Sequence, residues 1–169
     1  VQGYLPLRKA VAGYINRTEK LKLTAENIII GPGTKELLFG LQLVLNCDLV
    51  LPAPSWVSYE PQAKLLQKKV HWLTCNAEEG WKITAEALQK HCIKNPSRHQ
   101  LLVLNSPNNP SGACFTEQEL IELAKVARQY NVIVLSDEIY SQTHYQGQHI
   151  SLARFYPEGT IISNGISKW

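Results

Sequence analysis

The chain has 169 residues, 44% of them hydrophobic and 18% charged, enough for one domain with a substantial core and with no compositional sign of disorder. A formal charge of +3, spread over dispersed basic residues, gives no reason to expect nucleic acid as a partner; the densest run, Gln67-Lys68-Lys69, reads as a solvated helix end. No apolar run nears the roughly 20 residues that span a bilayer, and no charged-then-apolar leader opens the chain, so a membrane is not expected either.

The four cysteines (Cys47, Cys75, Cys92, Cys114) are far apart and form no C-x-x-C pair, and the five histidines lack H-x-x-x-H or H-E-x-x-H spacing. Neither a metal site nor a disulfide framework is expected; reduced, mostly buried cysteines suit the cytoplasm. His71, beside Trp72 in a strand, reads as structural. The chain opens on Val1, has no methionine and stops one residue after Lys168, within what reads as a loop, so a piece of a longer protein is expected.

In chain order, residues 6–17 carry Leu7, Ala10, Val11, Tyr14 and Ile15 at helical spacing, with Pro6 where a first turn tolerates it. Residues 27–30 are a short β-branched run closed by Gly31-Pro32-Gly33, and the apolar run 37–45 predicts a helix buried on most sides. Residues 49–51 predict a strand ended by Pro52-Ala53-Pro54; 57–69 a helix despite Pro61; 70–73 a strand. Thr84 caps a helix to about Lys94, 101–104 is a strand, and Thr116 with Glu119 is a capping box opening a helix through Tyr130 that Asn131 ends. Residues 132–135 and 160–162 complete six strands. Strands apolar throughout and alternating with helices predict an α/β fold, a three-layer α/β/α sandwich with a mostly parallel sheet, whose ligand site lies just beyond the carboxyl ends of the strands.

Those strand ends carry polar groups. Gly33-Thr34-Lys35 opens a helix, where free N–H groups favour a phosphate, although a tight turn into a helix explains it as well. Pro54-Ser55-Trp56 puts an aromatic at the ligand edge, for packing or for stacking. The loop 105–112 brings amides, including Asn109; Asp137-Glu138-Ile139-Tyr140 places two carboxylates and a phenol; and Lys168 follows the last strand. An amine for an imine, a carboxylate for a protonated ring nitrogen, a phenol and an amide for a ring oxygen, an aromatic cover and a helix N-terminus for phosphate are the parts of a pyridoxal 5'-phosphate site.

With Gly33-Thr34-Lys35, Pro54-Ser55-Trp56, Asn108-Asn109-Pro110-Ser111-Gly112, Asp137-Glu138-Ile139-Tyr140 and Ser167-Lys168 in this order and approximate spacing, the chain resembles the class I/II, fold-type I pyridoxal phosphate-dependent aminotransferases of the aspartate aminotransferase superfamily over essentially its whole length. The resemblance implies that Lys168 is the Schiff-base lysine and proton shuttle and that Asp137 lies on the pyridine nitrogen. It further implies Tyr140 and Asn109 on the 3-hydroxyl, Trp56 stacked on the ring and the backbone of Gly33, Thr34 and Lys35 around the phosphate. An amino acid and a 2-oxo acid are the implied partners, in a homodimer. Many relatives carry a serine three residues before the lysine, where Gly165 stands here.

Residues 1–169 are then expected to be a partial large domain, without the N-terminal arm, the carboxylate-binding arginines and the small C-terminal domain, and with little transaminase activity by itself. The family's sheet has seven strands, its one antiparallel strand lying beside the first, so an open place beside residues 27–30 is expected. A lyase, decarboxylase or synthase on the same cofactor site is the nearest alternative; a non-catalytic fragment and a nucleotide-binding domain are the others.

Overall fold

The computed structural model of the chain describes residues 2–96, 99–145 and 147–169. Its centre is a sheet of β1 (Asp48–Ala53), β2 (Val70–Thr74), β3 (Gln100–Asn105), β4 (Ile133–Asp137) and β5 (Thr160–Ser163), in the spatial order β2-β1-β3-β4-β5 with each neighbouring pair parallel. The α-helices are α1 (Leu5–Glu19), α2 (Thr34–Val44), α3 (Tyr59–Leu65), α4 (Ala85–Lys94) and α5 (Glu117–Gln129).

Every residue of the central strand β3 is buried, and its side chains alternate between two cores because strand side chains have a period of two. Leu102 and Leu104, with Val50 and Val134, meet Leu88 and Cys92 of α4 and Leu120, Leu123 and Ala127 of α5. Leu101 and Val103, with Leu49, Leu51 and Leu135, meet Leu38 of α2 and Tyr59 and Ala63 of α3. The helices therefore cover both faces, as the apolar strands predict. Parallel crossovers share one hand, so the chain's reversal, from β1 outward to β2 and then back past β1 to β3, sends α3 to one face and α4 and α5 to the other. The same reversal opens a crevice at the carboxyl ends of β1 and β3.

The helix starts follow the capping residues. Thr84 accepts from the Ala87 N–H (3.1 Å), and Thr116 and Glu119 form the reciprocal box, with the Glu119 carboxylate accepting the Thr116 N–H at 2.7 Å. Asn131, at φ +52°, turns the chain out of α5.

Three expectations are corrected. Residues 27–30 are not a strand: Ala25–Asn27 is a 3-10 turn, and the Ile30 N–H bonds to the Gln2 carbonyl (2.9 Å) outside the sheet. None of the five described strands pairs with this run, so it lacks the ladder that its β-branched residues would suit. Helix α2 is buried along one stripe only; Leu38 is buried while Leu43 and Val44 are 62% and 75% exposed, since a helix lying on a sheet covers one of its sides. Helix α3 is shorter than 57–69: Gln67 adopts φ +55° soon after its end, and Pro61 falls within its first turn, where a missing N–H costs nothing. No described helix is long and apolar enough to cross a membrane.

Leu102 is fully buried at the junction of β3, α4 and α5. Leu102→Ala is expected to lower the unfolding free energy by about 2–5 kcal/mol in urea titrations.

Candidate functional site

The strand register sets three polar side chains side by side, because Asn105 pairs with Asp137 and Asp137 with Ser163 at the carboxyl ends of β3, β4 and β5. Asn105 then works in two directions: its Nδ2 donates to the Asp137 carbonyl (2.9 Å), and its Oδ1 accepts the Asn109 N–H (2.7 Å). The second bond fixes the start of the loop 105–112, and from there Asn109 Nδ2 reaches the Tyr140 hydroxyl at 3.5 Å. On the other side the Glu138 N–H donates to the Ser163 carbonyl (2.8 Å), which holds the end of β4 against β5.

Asp137 is 3% exposed. The Tyr59 hydroxyl donates to its Oδ2 at 2.5 Å, while its Oδ1 has the Ile139 N–H at a long 3.4 Å. Burial raises the Asp137 carboxyl above the ordinary carboxylate range; the Tyr59 hydrogen bond and the Ile139 N–H oppose that rise, and the charge of Glu138 adds to it. Tyr59 is itself buried, and its phenol is pushed upward by burial first and then by the Asp137 charge. The Trp56 ring meets the Tyr59 ring edge-on, with centroids 5.3 Å apart and planes at 85°, and the Lys35 ammonium lies 5.2 Å from the Trp56 ring centre. Lys35 is tethered through its carbonyl, which accepts from Gln62 Nε2 (2.9 Å).

Gly33 is the residue before α2, at φ +124°, a conformation that side chains rarely adopt, and the place where its Cβ would stand is open. No described side chain caps the start of α2, so its first N–H groups are left without a capping partner among the described residues. The loop after β5 passes close by: a Cβ at Gly165 would lie 3.2 Å from Ile139 Cδ1 and 3.7 Å from Thr34 Cγ2. Lys168 ends the 3-10 turn Ile166–Lys168, exposed and without a hydrogen bond or ion pair among the described residues, and the Trp169 ring leans on Tyr14 of α1 at 5.4 Å.

Of the expected residues, Asp137, Tyr140 and Asn109 are drawn together and Trp56 joins them through Tyr59. Lys35 and Thr34 flank Trp56 and the lysine loop respectively, while Lys168 stands on that loop unbonded to the rest. Sequence reasoning missed Tyr59 and Asn105. The available signals were that Tyr59 follows Trp56 by three residues and that Asn105 opens the amide-rich loop. Glu138, read beside Asp137 as a strand-end carboxylate, instead enters a buried cluster: it accepts from Ser136 Oγ (2.8 Å) and from Ser151 Oγ, and its Oε2 lies 3.1 Å from His149 Nε2 at ion-pair distance without hydrogen-bond alignment. A cleft of about 600 Å³ borders this cluster, lined by Tyr14, Glu19, Glu138, His149 and Asn164, away from Asp137 and Lys168.

The parallel five-stranded sheet with these strand ends is the large-domain fold of the aspartate aminotransferases. The family description "Aminotransferase class I and II" matches residues 1–169, and the chain belongs to that family. It is 37% identical to an aspartate aminotransferase of Bacillus sp. (strain YM-2), over 98% of this chain and 44% of that protein. Among solved structures, the aspartate aminotransferase from Thermus thermophilus with maleate aligns with a TM-score of 0.91 at 34% identity, over 99% of this chain and 44% of that one. The aromatic aminotransferase from Pyrococcus horikoshii aligns at 0.88 and 30%, over 99% and 46%. The chain thus spans less than half the length of these relatives.

The cofactor of this family is pyridoxal 5'-phosphate, and the residues present fit it. Among the described residues Asp137 Oδ1 has only the long Ile139 contact and can accept from a protonated ring nitrogen, and the uncapped start of α2 beyond Gly33 suits a phosphate. Ser163 Oγ, buried and without a partner among the described residues, offers a further polar contact at the same edge.

A carboxyl raised in the folded state binds more protons folded than unfolded, so its contribution to stability is present at low pH and lost as pH rises through the folded value. In the cofactor-free protein, Asp137→Asn removes that loss. Its unfolding free energy relative to the unsubstituted chain is expected to be higher near neutral pH, and the advantage to shrink as pH falls into the ordinary carboxylate range, by urea titration at stepped pH.

Proposed function

We propose that the whole protein is a pyridoxal phosphate-dependent aminotransferase, exchanging an amino group between a 2-amino acid and a 2-oxo acid, and that residues 1–169 form most of its cofactor-binding large domain. The observation that carries this reading is the buried Asp137 carboxylate beside the Asn109–Tyr140 pair at one sheet edge.

When bound, the cofactor supplies an electron sink for the pair of electrons left as the substrate's α proton departs. The protein's own groups do the rest. Asp137 would keep the ring nitrogen protonated, Tyr140 and Asn109 would donate to the ring oxygen, and Trp56 would cover the ring face. The N–H groups at Gly33, Thr34 and Lys35 would bind the phosphate; it is the Thr34 methyl that comes nearest to Gly165, where many relatives carry a serine. Lys168 Nζ would be the amine that holds the cofactor and, when free, the general base for the substrate's α proton. Its exposed turn leaves the amine free to swing between these two tasks.

The named relatives divide between aspartate and aromatic amino acids, so the proposal concerns the reaction and not one substrate side chain. We assign the protein to the cytoplasm, in keeping with four free cysteines, and to a homodimer, for which the exposed Leu43 and Val44 of α2 and Leu65 of α3 provide apolar surface.

Incubation with pyridoxal 5'-phosphate, borohydride reduction and peptide mass analysis is expected to find the reduced adduct on the peptide holding Lys168, and to lose it in Lys168→Ala. An unmodified Lys168, or an adduct spread over other lysines, sinks the assignment.

A further inference from the structure

We propose that Tyr59 is a positioning residue for the cofactor: its phenol holds the Asp137 carboxylate ionised and turned so that one oxygen remains for the ring nitrogen. This rests on the reading of the site as a pyridoxal phosphate site.

The argument begins with the cost of the carboxylate. A carboxyl that is 3% exposed tends to become a neutral acid, and a neutral acid cannot keep a ring nitrogen protonated. One short hydrogen bond from a neutral donor favours the charged form without itself bringing a charge that would compete with the ring. Tyr59 supplies that bond to Oδ2, leaving Oδ1 with only the long Ile139 contact. The charged or titratable groups acting on this pair are Glu138, which follows Asp137, and Tyr140. Neither is a cation, so the Tyr59 bond is the main support of the ionised form.

Orientation comes from packing. Tyr59 is 1% exposed, opens α3 and lies edge-on to Trp56, so its ring is clamped between the helix and the residue assigned to the ring face. A shift of Trp56 moves the phenol, and with it the carboxylate. One side chain thereby registers the ring's face contact to its nitrogen contact.

Two measurements on Tyr59→Phe, which keeps the ring against Trp56 and deletes only the hydroxyl, test this. In the cofactor-free chain, carbon-13 NMR titration is expected to show the Asp137 carboxyl moving further upward in the variant; an unmoved titration overturns the proposal whatever the cofactor does. In equilibrium binding of pyridoxal 5'-phosphate, Tyr59→Phe is expected to weaken affinity roughly tenfold or more, the size of a buried hydrogen bond to a charged group. In the Asp137→Asn background it is expected to add no further loss. An equal loss in that background means that the Tyr59 hydroxyl acts other than through the Asp137 carboxylate and overturns the proposal. If the unsubstituted chain binds no pyridoxal 5'-phosphate while the Asp137 titration still shifts, the site assignment fails and the role toward the ring nitrogen falls with it, but the Tyr59–Asp137 bond stands.

Discussion

A carboxylate buried at the end of a parallel strand is the constraint around which this domain is built. Leaving the Asp137 carboxylate uncompensated would cost several kcal/mol; the Tyr59 hydroxyl supports the charge, and two further elements fix the backbone that carries it. Helix α3 contributes the Tyr59 hydroxyl, β3 contributes Asn105 to the Asp137 carbonyl, and β5 accepts the next N–H along. The reversal of the chain at β1 makes this possible, because it places α3 on the face opposite α4 and α5 and so within reach of the sheet edge.

The pairing of Asp137 with Glu138 divides the work at that edge. Successive side chains near a strand end leave on opposite sides, so two adjacent carboxylates acquire different surroundings. Asp137 meets Tyr59 and the loop that carries Asn109. Glu138 meets Ser136, Ser151 and His149, and the Ser151 N–H also bonds to Glu19, which in turn binds Arg154. One acid faces the candidate site; the other ties the sheet to α1.

What could be read in the sequence was what local chemistry determines. Apolar runs marked the strands β1 to β5, Thr84 and the Thr116–Glu119 pair marked helix starts, and the rule that ligands gather beyond strand ends singled out Asp137, Tyr140 and Asn109. What escaped depends on residues distant in the chain. Tyr59 is 78 positions from Asp137, so its partner could not be inferred from spacing. Residues 27–30 have strand composition, yet a strand exists only beside another, and composition does not say whether a neighbour is present. The exposed Leu43 and Val44 follow the same logic: an apolar run tells that a helix has something to bury, not how much of its circumference the sheet will cover.

The contacts of Glu19 carry a consequence for how the domain is made. Its bonds to the Ser151 N–H and to Arg154 close loops of 132 and 135 residues, so α1 gains these partners only after that much more chain has been made. Such high contact order slows folding, since the entropy of closing the loop is spent before the contact returns anything. During that interval α1 presents its apolar side to the surroundings of a nascent chain, a stage at which aggregation competes with folding.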